Sequence, residues 1–307
     1  MSTDGCTVYT VAGAKGGVGR TTTSINLGVA LANAGHDAAV LELDLAMANL
    51  TEFLDVEATT TLHGVLAGEA TVADATYPAA GGLSLVPSGT SLEGYARTDL
   101  STLPGVVDTL RERHDAILVD TPAGLSEETV RAMELADEAV LVSTPRVSSV
   151  RNANETLPLA GHVETAVSGL ILTKSGAGIP AVADHVASCL DVSVLGRVPE
   201  DDAVPYAQEH GEPVVEHAPH SGAAVAYRKI ARRLTEPTTA NSSAMGRADS
   251  TACDGPATGD RSNGSRTSRD SESGGPDTST DDIEQAFGNA GTSPHSSGRQ
   301  LQDVFDR

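Results

Sequence analysis

Between Ala12 and Thr22 the chain reads Ala-Gly-Ala-Lys-Gly-Gly-Val-Gly-Arg-Thr-Thr, with four glycines, two cations and two hydroxyls in eleven residues. Glycines let a backbone curl until successive N–H groups converge on one centre, the geometry that cradles a phosphate. If a helix follows at once, its unpaired N–H groups and positive dipole end add to the same field. Thr21 then stands where a hydroxyl meets magnesium, and Thr22 where one reaches a phosphate oxygen. Two carboxylates suit the same chemistry. Asp44 and Asp120 each close an apolar run, Val40-Leu41-Glu42-Leu43 and Ala116-Ile117-Leu118-Val119. A strand-end aspartate holds the magnesium shell in nucleotide hydrolases. After Asp120 comes Thr121-Pro122-Ala123-Gly124-Leu125, where Gly124 lets the loop approach a γ-phosphate as a switch. The plainer alternatives are a glycine turn with solvated cations, and two aspartates that merely cap turns.

These groups need elements to place them. The run Thr7 to Val11 reads as a strand entering the loop, and Thr22 to Ala34 as the helix leaving it. Further strands are expected at 83–87, 138–143, 166–174 and 192–198, besides those that end in Asp44 and Asp120. Helices are expected at about 59–68, 102–113, 127–135 and 223–234, with one at 147–159 interrupted by Pro158. Alternating strands and helices, with the phosphate loop after the first strand, predict an α/β fold with a mostly parallel, doubly wound sheet. His63, in the short helix, reads as a surface or packing residue, because no second metal-type ligand lies at helical spacing.

The wording Lys15-Gly16-Gly17-Val18-Gly19-Arg20-Thr21 resembles the deviant phosphate-loop motif KGGxGK[ST] of the MinD/ParA family of dimeric ATPases. The resemblance covers about residues 5–235. It implies that Lys15 reaches across a dimer to the partner's nucleotide. It sets Arg20 where the family has its phosphate-cradling lysine. Arginine is longer, planar and forked, so the exchange is not conservative, and whether hydrolysis stays normal is left open. The stretch from Glu42 to Leu50 is similar to the family's D-x-D-x-x-x-x-N-L segment, with Glu42 in place of the first Asp. This implies that Asp44 positions the attacking water. The Asp120-to-Gly124 wording resembles the MinD branch more than the DNA-segregating ParA branch. Thr173-Lys174 and Val198-Pro199-Glu200-Asp201 are similar to the family's base-binding positions, which implies Thr173, Pro199 and Glu200 beside adenine. A plain surface turn at Pro199 stays open. The implied cofactors are ATP and Mg2+, with Thr21 and Asp120 on the metal. The implied partner is a second copy, closed by ATP. The implied output is the placement of a cellular structure: division site, chemoreceptor array or motility machine. A nucleotide-binding scaffold with little turnover is the alternative, and a ParA-type segregation ATPase the second.

Composition narrows the setting. The chain has 307 residues, 42 acidic against 20 basic, for a net charge of −22. Its only lysines are Lys15, Lys174 and Lys229. Such a surface suits a salt-rich cytoplasm, where ionic strength screens self-repulsion; an ordinary acidic protein is the alternative. The charge opposes general DNA binding, which needs cations. Arg228, Lys229, Arg232 and Arg233 cluster near a helix end, where cations are favoured in any case. Cys6, Cys189 and Cys253 are scattered without a C-x-x-C, as expected of a reducing compartment with no cluster site. The polar start and the lack of a long apolar run predict neither a signal peptide nor a membrane span. From about Glu236 the composition turns to Thr, Ser, Gly, Asp and Asn. The expected organisation is therefore a 1–235 ATPase domain and a 236–307 disordered tail. Ile283, Ala286, Phe287 and Leu301, Val304, Phe305 form two short apolar islands there. Their acidic neighbours disfavour anionic lipid and favour protein docking, with recruitment to membrane or cell pole left open.

Overall fold

The computed structural model describes residues 5–13, 15–145, 158–176 and 192–236. The expected helix at 147–159 falls mostly outside them, and the C-terminal tail, from residue 237, wholly so.

The strands β1 (Thr7–Ala12), β2 (Ala38–Glu42), β3 (Tyr77–Pro78), β4 (Ser84–Val86), β5 (Ala116–Asp120), β6 (Glu138–Ser143), β7 (Ala166–Ser175) and β8 (Val194–Pro199) form one sheet. Its order is β3-β4-β2-β5-β1-β6-β7-β8. All neighbours are parallel except the short β3–β4 pair. This is the α/β, mostly parallel, doubly wound sheet that the alternation predicts. Parallel strands buried on both faces read as continuous apolar runs, and β1, β2, β5 and β6 are buried almost throughout.

Alternate residues feed two layers. Tyr9, Val11, Val40, Leu118 and Val140 face α1 (Arg20–Asn33) and the last helix, Gly222–Thr235. Val8, Ala39, Leu41, Ile117 and Val119 face α3 (Leu62–Leu66) and α5 (Leu103–Arg111) on the other side. Helix α6 (Glu127–Leu135) continues that layer over β6 and β7, with Val130 and Met133 against Leu141 and Leu170. Ser126 caps α6 by accepting from Thr129 N at 3.3 Å, which leaves the preceding loop, with Gly124 at φ 87°, free of the helix. Short helices α2 (Leu50–Phe53) and α4 (Leu92–Tyr95) sit at strand ends. A helical stretch over 158–162 leads into β7. The chain closes with α7 (Ala203–Glu209), α8 (Val214–His217) and α9 (Gly222–Thr235).

The cations on α9 turn partly inward. Arg228 Nη2 donates to the Pro219 carbonyl and Arg233 Nη1 to the Leu195 carbonyl. No described helix is long and apolar enough to cross a membrane.

Candidate functional site

Strand β1 and its neighbour β5 carry the two loops most rich in chemistry, and the parallel register places their carboxyl ends together. Val11 is opposite Asp120, and Thr121 Oγ1 donates to Val11 O at 3.0 Å. β2 ends level with them, Glu42 opposite Asp120. In doubly wound sheets ligands bind outside these carboxyl ends, and the chain has a cleft of about 590 Å³ there.

Gly17 and Gly19 of the glycine loop, with Arg20, Thr21 and Thr22, floor the cleft. Gly13 must be glycine, because a Cβ would lie 2.7 Å from the Val142 carbonyl oxygen of β6. Gly19, at φ 90°, ψ 30°, turns the backbone left-handed into α1, a conformation that costs other residues about 1–2 kcal/mol. No side chain caps α1, and the first N–H that pairs is Thr23 N, to Gly19 O at 2.9 Å. The N–H groups of Arg20, Thr21 and Thr22 are therefore presented to the cleft, where an anion completes them.

Two residues of β7 hold the loop from below. Thr173 Oγ1 donates to Val18 O at 2.6 Å, with Ser143 O also within 3.2 Å, and Lys174 Nζ donates to Gly17 O at 2.9 Å. Thr173, expected beside a base, thus also fastens the phosphate loop. The opposite wall comprises Pro199, Glu200, Asp201 and Asp202, then Val204, Pro205 and Gln208 of α7. Gln208 Nε2 donates to Thr22 Oγ1 at 2.8 Å, so this wall is tied to the first turn of α1. The sequence did not single out Gln208; its only cue is an amide one position past Ala207, the buried face of a short helix.

Asp120 is the most informative group. It is 1% exposed. Oδ1 accepts from Ser24 Oγ at 3.0 Å, whereas Oδ2 is buried with no partner. Burial pushes its pKa up to about 6, against the pull of the Thr21 and Ser24 hydroxyls and the Arg20 guanidinium. A buried carboxylate oxygen without a donor wants a cation. With the Thr21 hydroxyl nearby, the donor set is all oxygen, which fits magnesium. Among the described residues no group of three or more His, Cys, Asp or Glu forms a self-sufficient metal site, so such an ion needs ligand oxygens as well. Ser24 was not foreseen; it lies one turn after Arg20 and Thr21, facing β5.

Arg20 does not simply reach over the cleft. Its Nη1 donates to the Thr121 carbonyl, and its Nε is buried without a partner. Burial lowers its pKa, while Asp120 and Asp44 oppose the shift. Asp44 lines the cleft half-buried, its Oδ1 accepting from Met47 N at 3.1 Å. Burial raises its pKa, against the Met47 N–H and Arg20. Lys15 is exposed on the outer side of the loop with Gly16 and Gly17, and Val18 is buried beneath. Lys15, Gly16, Val18, Asp120 and Gly124 do not line the cleft, Asp120 being buried behind Thr21, whereas Gly17, Gly19, Arg20, Thr21, Thr22, Asp44, Thr173, Pro199 and Glu200 do. His63, expected at the surface or in packing, is a packing residue at 4% exposure.

A glycine phosphate loop between a first strand and an uncapped helix, with a buried aspartate beside it, defines a P-loop nucleotide-binding protein. A family model for the CobQ/CobB/MinD/ParA nucleotide-binding domain matches residues 9–214, and the chain belongs to that family. It is 37% identical over 226 residues to an uncharacterised ATP-binding protein of Methanocaldococcus jannaschii, covering 73% of this chain and 86% of the relative. It is 31% identical over 240 residues to the septum site-determining protein MinD of Bacillus subtilis, covering 72% and 85%. The solved structure of MinD from Pyrococcus horikoshii OT3 with Mg-ADP superposes with a TM-score of 0.71 at 31% identity, covering 75% of this chain and 96% of that one. The chain is thus a MinD/ParA-family ATPase by descent, related to position-determining proteins.

Proposed function

We propose that this protein is a MinD-like switch that dimerises around Mg-ATP, opens on hydrolysis and helps to place a cellular structure. The observation that carries the reading is the orphaned, buried Asp120 Oδ2 next to Thr21, which itself opens on the cleft in the uncapped first turn of α1. Bound Mg-ATP supplies the phosphoanhydride bond and a cation to spread charge between its phosphates. The chain's own groups do the rest. The N–H groups of residues 17–22 and Arg20 bind phosphate oxygens. Thr21 and Asp120 would hold the metal, and Thr173, Pro199 and Glu200 would flank the base. Asp44, on the cleft wall, would orient the attacking water. Lys15, exposed on the rim, extends to the nucleotide of a second copy, and Gly124 lets the 121–125 loop follow the terminal phosphate. Catalysis of this kind is positioning and charge stabilisation. The protein works in a cytoplasm of high salt, as its charge suits.

A second reading is a nucleotide-binding scaffold with little turnover. What favours it is Arg20, whose guanidinium is committed to the Thr121 carbonyl. Light scattering in molar potassium chloride, with magnesium plus ATP, ADP or no nucleotide, separates the two. A dimer with ATP alone is the expected result. One mass in all three conditions, with nucleotide bound, favours the scaffold. No nucleotide binding at all refutes both.

A further inference from the structure

The loop that carries Asp44 is held by two buried side chains with no role in the site so far. Glu42, the last residue of β2, is 0% exposed. Its Oε1 accepts from Asn49 N at 2.7 Å and Leu50 N at 3.0 Å, so one oxygen closes the 43–48 loop and caps α2. Its Oε2 accepts from Ser88 N at 2.9 Å, and Ser88 Oγ donates back to Glu42 O at 2.8 Å. His63 Nε2 meets Leu45 O at 3.0 Å. A carbonyl only accepts, so the ring carries its proton on Nε2. The rest of the ring lies against Gly89 and Gly94, where a Cβ would fall 2.8 and 3.0 Å from Nδ1. Leu43 N, donating to Asp120 O at 2.8 Å, fixes the loop's start.

Beside the core packing of Leu43, Leu45 and Leu50, the hydrogen bonds that hold this loop among the described residues come from three places: the end of β5, the buried Glu42, and α3 backed by the 87–94 segment. Asp44 itself contributes only a local turn to Met47. A glutamate has the reach that an aspartate lacks, spanning from the end of β2 to both the α2 N-terminus and Ser88.

We propose that Glu42 and His63 are positioning residues, which lock Asp44 at the cleft by latching the 43–50 loop to the 87–94 segment. The functional half of this rests on the ATPase reading above; the latch itself does not. It follows that the 87–94 segment, which carries the exposed Leu92, is mechanically linked to Asp44, although it does not line the cleft.

The test is amide hydrogen exchange on the full nucleotide-free chain, with nucleotide affinity and turnover measured alongside. Glu42→Gln keeps the size but turns an NH2 toward one set of N–H donors. His63→Ala removes the donor to Leu45 O, and His63→Gln can restore it. We expect Glu42→Gln and His63→Ala to speed exchange in 43–50 and 87–94 roughly tenfold or more, with β1 and β5 unchanged. Turnover should fall by a similar factor with ATP affinity preserved, and His63→Gln should recover both. Unchanged exchange in 43–50 overturns the latch. Loss of protection spread equally through β1 and β5 also overturns it, since the two residues would then be fold determinants. If the unaltered protein shows no turnover, the ATPase reading fails, while the exchange data still decide the latch.

Discussion

Replacing Asp120 with Asn should let the nucleotide-free protein gain stability on the native protein as pH rises, and should remove its response to magnesium. The reason is the cost of an ionised carboxylate at 1% exposure. Its pKa rises from 3.8 to about 6 on folding, and each pH unit corresponds to about 1.36 kcal/mol. Asp120 therefore costs about 3 kcal/mol once fully ionised. The sign follows from proton counting. Between pH 3.8 and about 6 the native state holds a proton that the unfolded chain has released, so stability falls as pH climbs through that window. Asn carries no such dependence. Its amide nitrogen is left without an acceptor where Oδ2 lies, a cost of about 1–3 kcal/mol, but that cost is the same at every pH. The useful quantity is the change in the mutant-minus-native difference with pH. Urea unfolding in molar potassium chloride with chelator, at about pH 4.5 and about pH 7.5, should show the mutant gaining about 2 kcal/mol on the native protein. Glu42, which burial pushes up to about 7 with a small addition from the Asp120 charge, shifts the result in the same direction. With Mg-ATP the native protein should gain stability and the mutant much less. A difference that stays constant across the two pH values would refute the account of Asp120 as a buried, unsatisfied charge.

Three further outcomes test the site. Gly13→Ala sets a Cβ 2.7 Å from the Val142 carbonyl, a backbone atom that cannot swing away, so urea melts should show a loss of about 1–3 kcal/mol and weaker nucleotide binding. Lys15→Ala removes an exposed side chain; its stability should change by less than about 0.5 kcal/mol, while light scattering shows the ATP-dependent dimer lost. Arg20→Lys frees the Thr121 carbonyl from its guanidinium; a working switch keeps turnover within about threefold, or roughly 0.7 kcal/mol of barrier, whereas a large gain from near zero identifies the scaffold.

Sequence patterns captured what is local. The phosphate loop, the strand-end aspartates and the sheet follow from glycine spacing and apolar runs within a few residues of each other. What escaped depends on partners far along the chain. Ser24 and Asp120 are 96 residues apart, Gln208 and Thr22 186, and Glu42 and Ser88 46. A serine inside α1 or a glutamine in a seven-residue helix has no local mark of its role. The direction taken by Arg20 was also illegible, because a guanidinium can serve phosphate or carbonyl equally well and only the fold sets Thr121 O within its reach. Elements as short as β3 and α4 lack enough residues to display a period.

The contact between Tyr9 and α9 bears on how the protein is made. Tyr9 Oη donates to Leu234 O at 3.0 Å, across 225 residues, and α9 packs along α1, with Tyr227 2% exposed beside Thr23. The first strand and the phosphate-loop helix thus wait for the last helix before their layer is complete. A nascent chain that has the whole loop in hand still lacks the surface that keeps α1 straight behind it. The layer behind the cleft thus depends on the last described helix, and the site is complete only once α9 has docked.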